Sequence, residues 1–319
     1  MSVKMGLHEG LMMTEEHWWK ISLRLKLRQS SGDQFQEFFS LVMEQLHGDD
    51  FVRIRPHGRL GDKGCDGYLR SSGTVFQCYG AVNGDKNKVS YLTEKMRTDF
   101  PKARKGCGDI MKKWKMVHNL VDGLPIETVL TLDEMEETNP EIKFGFIGLE
   151  SFENYIGALA IEKKIQLLGP VATNQDAQNL QVEELKLLID DLVRAAEDPR
   201  NALNEIRPVP EDKLQANKLP IYWRCLISGG WRNAHIVSSY FNAHHDPLRG
   251  ELIANMFHDR YEYLSSQELS SASIMDNLYE YVTGIGTVHP ARQVAAQALL
   301  AHLFESCDIF ENISATETS

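Results

Sequence analysis

Apolar residues recur at helical spacing through residues 34–46, where Phe35, Phe38, Phe39, Val42, Met43 and Leu46 lie 3, 1, 3, 1 and 3 positions apart. That period gathers them on one face and predicts a helix, with Ser30-Ser31-Gly32-Asp33 supplying its cap. Upstream the rhythm changes: Ile21, Leu23, Leu25 and Leu27 alternate with Lys20, Ser22, Arg24, Lys26 and Arg28, the period-two pattern of an amphipathic strand. Residues 65–70 and 74–79 are short apolar runs bounded by Gly64 and Gly80. Ser71-Ser72-Gly73 between them predicts a β-hairpin. Further on, the pattern predicts a helix over 88–100, a strand over 115–118, a helix over 126–137 ending near Asn139-Pro140, a strand over 142–147 and a helix over 151–159. Alternation of this kind closes a mixed sheet with helices on its faces.

The second half reads differently. A boundary is expected near Gly169-Pro170, giving domains over 1–170 and 171–319. Residues 170–178 are polar and irregular, 181–196 is strongly helical, and 198–220 holds four prolines that interrupt the pattern. Beyond Pro220 nearly everything suggests helix. A break is expected at Asp246-Pro247, and Pro290 is placed to start a helix over 289–304. The expected fold class is therefore α/β with an all-α C-terminal domain.

Charge sharpens this division. The net charge of −11 over 319 residues argues against a nucleic-acid partner until its distribution is considered. Residues 171–319 carry 11 Lys and Arg against 21 Asp and Glu, whereas residues 53–115 carry 15 against 6. A basic segment inside an acidic protein is the footprint of a nucleic-acid enzyme, or simply a solvated Lys-rich surface. The five cysteines, Cys65, Cys78, Cys107, Cys225 and Cys307, form no CxxC pair, so neither a zinc ribbon nor a disulfide framework is indicated. No run reaches the roughly 18 apolar residues of a membrane span, and a cytoplasmic protein is expected.

The candidate chemistry sits in the basic segment. Gly61 to Tyr68 read GDKGCDGY, and Gln77 follows in TVFQCYG. Alternate strand residues share a face, so Asp66 and Tyr68 go together, as do Gln77 and Tyr79. If those faces coincide, Asp66 and Gln77 converge, and a divalent cation is a fitting partner for their oxygens. Glu37, beside the apolar stripe of the preceding helix, is a candidate third ligand, with Glu44 the weaker one. Taken singly, the loop reads equally well as a glycine turn, Gln77 as an edge-strand amide facing water, and Glu37 as a solvated helix residue. In the second half, His244-His245-Asp246 reads as a helix-end cap rather than a metal cluster. The aromatics Trp223, Trp231, Tyr240, Phe241, Phe257, Tyr261 and Tyr263 read as core plus partner surface.

The Asp66–Gln77 spacing resembles the PD-(D/E)XK nuclease superfamily, in the variant with Gln as second acidic-position ligand. The resemblance implies Mg²⁺ or Mn²⁺ held by Asp66 and Gln77 with Glu37 assisting, and phosphodiester hydrolysis as the reaction. The superfamily places a lysine where this chain has Tyr79, and a phenol does not supply that positive charge. Lys86, Lys88 and Lys95 are candidates to reach in, while Asp62 shapes the loop and Arg59 and Lys63 join Lys86 and Lys88 as DNA-contact candidates. RPHGRLGDKGCDGYL, FQCYG, MKKWKMVHN, DGLP and FESCDIFE together resemble an effector subunit of the ABC-three-component systems, bacterial assemblies linked to defence against phage. That resemblance implies a nuclease-like domain and a helical docking domain. It also implies an ABC- or SMC-type ATPase partner, a small middle component, DNA as target, and possible homo-oligomers. A catalytically inert adaptor of the same fold remains the alternative.

Overall fold

The structure is a computed structural model and describes residues 14–55, 64–83, 88–195, 217–267, 269–306 and 309–310. Its contacts divide the chain into two compact units: Leu23–Gly169, and Pro170–Ser319 together with the described residues up to Ser22.

The first element corrects the alternating strand expected over residues 20–28. It is helix α1, Glu15–Gln29. Apolar and basic positions alike are buried along it, including Ile21, Leu23, Leu27, Arg24 and Arg28, so the period-two pattern does not separate a wet face from a dry one. Leu, Lys and Arg are strong helix formers, and Glu15 and Glu16 at the start with Lys26 and Arg28 at the end suit the helix dipole. Helix α2 (Gly32–His47) follows, matching its apolar stripe.

In the unit Leu23–Gly169, five strands form one sheet in the order β1-β2-β3-β4-β5: β1 Phe51–Arg53, β2 Gly67–Leu69, β3 Thr74–Tyr79, β4 Lys113–His118 and β5 Lys143–Ile147. The β1–β2 and β2–β3 pairs are antiparallel; the β3–β4 and β4–β5 pairs are parallel. The parallel steps need crossovers, which α3 (Lys88–Cys107) and α4 (Ile126–Thr138) supply. Both lie on one face, over Val75, Trp114, Met116 and Phe144. The other face carries α2 and α5 (Leu149–Gly157), where Phe35, Phe38, Phe39 and Phe152 stack around Phe76 and Val117. α6 (Ile161–Leu168) completes that layer. Burial on both faces explains why β3 is apolar almost throughout.

The unit from Pro170 is all helical among the described residues. It contains α7 (Asn174–Gln178), α8 (Val182–Ala195), α9 (Ile221–Ala243), α10 (Arg249–Ser265), α11 (Ser271–Thr283) and α12 (Pro290–Glu305). α7 falls in the stretch read as irregular; a capping box between Thr173 and Asp176 starts it. α9 and α12 pack most closely, because Gly230 lets them approach: a Cβ there would stand 2.4 Å from the Gln297 carbonyl oxygen. Trp223 and Tyr279 are fully enclosed, and Trp18 of α1 joins them with ring centroids 6.4 Å from Tyr279. His244 ends α9, its Nδ1 accepting the Asp246 N–H at 3.1 Å, so this His-His-Asp run is a helix stop.

Candidate metal centre

β2 begins at Gly67, one residue after Asp66, while β3 continues past that level to Tyr79. Asp66 still pairs through its backbone, its N–H donating to the Phe76 carbonyl at 2.8 Å. Where β2 gives out, its carboxylate takes over as acceptor for β3: Oδ2 accepts the Cys78 N–H at 2.6 Å and the Gln77 Nε2–H at 2.7 Å. Oδ1 accepts from Gln36 Nε2 of α2 at 2.7 Å. The structure thus brings Asp66 and Gln77 together at the end of a strand. Gly64 permits the approach: at φ 73° it lies against α3, where a Cβ would come within 2.5 Å of the Asp99 carbonyl oxygen.

Gln77 is on a central strand and 1% exposed, so its amide does not face water. With Nε2 given to Asp66, its Oε1 is buried without a hydrogen-bond partner among the described residues. An orphaned buried acceptor costs roughly 1–3 kcal/mol. Which end of an amide is nitrogen follows from its hydrogen bonds, so rotating this group would set Oε1 toward Asp66 instead. Two oxygens that close repel unless a cation lies between them. The observed 2.7 Å spacing is near the roughly 2.9 Å edge of an octahedron whose oxygens stand 2.0–2.1 Å from Mg²⁺. Hard oxygen donors of this kind fit Mg²⁺ or Mn²⁺. The described residues contain no group of three or more His, Cys, Asp and Glu suited to a metal, so such a site would hold one carboxylate and amide oxygens.

Glu37 is engaged elsewhere. Its carboxylate meets Arg53 Nη1 at 2.6 Å and Arg55 Nη2 at 2.5 Å, and Glu44, two turns on, takes Arg53 Nε at 2.9 Å. The guanidinium of Arg53 holds the Glu37 carboxyl below its usual range. The α2 side chain that reaches Asp66 is Gln36, one position earlier. A helix turns about 100° per residue, so an offset of one position decides which side chain arrives.

Tyr79 lies one step beyond Cys78 on the Gln77 face, level with His118 of β4. Burial holds the Cys78 thiol well above its normal range, with the Asp66 charge adding to the effect and Lys95 opposing it. The Lys95 ammonium therefore acts at the strand residue next to Gln77, and Asp99 holds it at 2.7 Å. Lys88 lines a separate cleft of about 320 Å³ with Arg28, Asn83, Asn119, Asp122 and Pro125, beyond the C-terminal ends of β3 and β4. Arg59, Asp62, Lys63 and Lys86 lie outside the described residues.

Two residues of the MKKWKMVHN run carry more than their sequence announces. Asn119 accepts the Ala81 N–H at 2.8 Å and donates Nδ2 to the carbonyls of Ser30 and Ala81 at 2.7 and 2.9 Å, tying the end of α1 to the segment after β3. His118 is buried against Phe146 and Gly148, and desolvation lowers its pKa to about 4, so it is neutral at pH 7. A polar pair directly after a buried strand is the signal available in the sequence.

Residues 183–311, covering α8 to α12, match one family model. It is C-terminal domain 10 of the ABC-three component (ABC-3C) systems. The matched segment is similar to that domain and spans less than half of the chain. No curated protein and no solved structure matches the chain. Among the described residues, no helix is long and apolar enough to cross a membrane.

Proposed function

We propose that the unit Leu23–Gly169 is a PD-(D/E)XK-like, metal-dependent nuclease domain acting on DNA. In this reading the C-terminal domain-10 segment couples it to the other components of an ABC-three component defence system, including an ATPase of ABC or SMC type. The observation that carries the reading is the buried Gln77 Oε1, unpartnered among the described residues, on the amide whose Nε2 meets the Asp66 carboxylate. Asp66 and Gln77 would hold Mg²⁺ or Mn²⁺, which lowers the pKa of a bound water and neutralises phosphate charge. Gln36 orients Asp66 by donating to its Oδ1. Lys95 of α3, held by Asp99, would supply positive charge near the centre in place of the lysine that Tyr79 does not provide. The basic segment over residues 53–115 attracts the nucleic-acid backbone.

A specific observation favours the inert-adaptor alternative: both Asp66 oxygens already accept strong N–H bonds, from Gln36, Gln77 and Cys78. Supercoiled plasmid incubated with the protein, Mn²⁺ or Mg²⁺ and the partner ATPase separates the two. The nuclease reading expects relaxation or linearisation that Asp66→Asn abolishes. DNA binding without cleavage under every condition, and no Mn²⁺ uptake by calorimetry, would establish the adaptor instead.

A further inference from the structure

Cys65 and Cys107 flank Asp66, Gln77, Tyr79 and Lys95 in sequence, and in space their sulfurs stand 3.3 Å apart. Neither is in a disulfide. Cys65 precedes β2 and is 2% exposed, while Cys107 is the last residue of α3 and partly exposed. The approach is built into the backbone. Gly64 lies so tightly on α3 that a Cβ would stand 3.3 Å from the Ala103 nitrogen, one turn before Cys107. On the other side, Gly108 at φ 55° has open space around it, so the end of α3 can adjust. A disulfide needs its sulfurs to close to about 2.05 Å, a movement of roughly 1.2 Å from the observed separation.

We propose that Cys65 and Cys107 form a thiol-modification site, closed by a low-molecular-weight disulfide of the glutathione type into an intrachain bond that ties the Asp66 strand to the end of α3. The reaction is two exchanges. The Cys107 thiolate, the accessible partner, attacks the reagent, forming a mixed disulfide and releasing one reduced thiol. The Cys65 sulfur then attacks Cys107 Sγ, releasing the second. Two protein thiols lose two hydrogens, and one reagent disulfide is reduced to two thiols. The bond would fix the hairpin and α3 as one closed loop. It stands whether or not the centre binds metal or cuts DNA, because it rests on the two sulfurs alone.

The test uses the full chain, reduced and then exposed to graded oxidised glutathione, with peptide mapping by mass spectrometry and a thermal unfolding scan. The expected result is a linked Cys65–Cys107 peptide and an unfolding midpoint that rises on oxidation and returns on reduction. Cys65→Ser should instead trap a glutathionyl adduct on Cys107, and Cys107→Ser should leave Cys65 unmodified while its circular dichroism stays native. A stable Cys107 adduct in the unsubstituted chain, a bond from either residue to Cys307 or to a second molecule, or no modification of Cys107 would each overturn the proposal. If Cys65→Ser fails to fold, Cys107→Ser and the unsubstituted chain still decide the outcome.

Discussion

Asp66 has a structural duty apart from any chemistry, and that separates two substitutions that are often treated as equivalent. Asp66→Ala strips the acceptor from Gln36 Nε2, Gln77 Nε2 and the Cys78 N–H at once, and is expected to cost about 3 kcal/mol in urea unfolding. Asp66→Asn with its oxygen at the Oδ2 position keeps the bonds from Cys78 and Gln77 and sets its NH2 against Gln36, whose amide can turn to accept. It should change stability by less than about 1 kcal/mol while removing the charge a cation needs. His118 gives a pH prediction. Its folded pKa of about 4 lies below the ordinary 6.5, so the unfolded chain binds the extra proton and stability is full above pH 6.5. As pH falls from 6.5 toward 4, about 3 kcal/mol should be lost, at 1.36 kcal/mol per pH unit. His118→Asn should flatten that slope when unfolding is compared at pH 7 and pH 5.

At the scale of elements, two glycines govern how closely neighbours pack. Gly230 sits in α9 against the Gln297 carbonyl of α12, and Gly80 leaves no room beside the Gly32 nitrogen and Phe35 Cβ at the start of α2. Ala is the better helix former, yet Gly230→Ala is expected to destabilise by about 1–3 kcal/mol, because the close atoms are backbone and a helix must shift. A lowered midpoint in thermal unfolding checks this. The hairpin, α2, α4, β5 and α12 were legible because period, turn residues and caps agreed along each. α1 was misread as a strand: its apolar alternation was real, but Arg24 and Arg28 are buried beside the leucines, so the alternation did not mark a wet face. Gln36 was passed over for Glu37 because charge drew attention, while the helix phase relative to Asp66 was not visible in the chain.

For the whole molecule, the acidic total conceals a basic segment at residues 53–115, and that imbalance yields a prediction about binding. If the segment meets a nucleic-acid backbone, affinity for duplex DNA should fall at least on the order of tenfold between 50 and 200 mM salt, and a 23–169 fragment should retain it. Fluorescence anisotropy at several salt concentrations measures both. The second unit depends on residues far from it in sequence. Trp18 is buried in the cluster with Tyr279 and Trp223, so a 170–319 fragment lacking residues 14–22 should unfold at lower temperature than one carrying them. The sequence by itself determined the hairpin, α2, α4, β5 and α12, since local spacing and turn chemistry act within a few residues. Only the tertiary structure decided that Gln36 grips Asp66, that Arg53 occupies Glu37, and that Cys65 meets Cys107, because these depend on how a helix is rotated against a sheet, which no local pattern specifies.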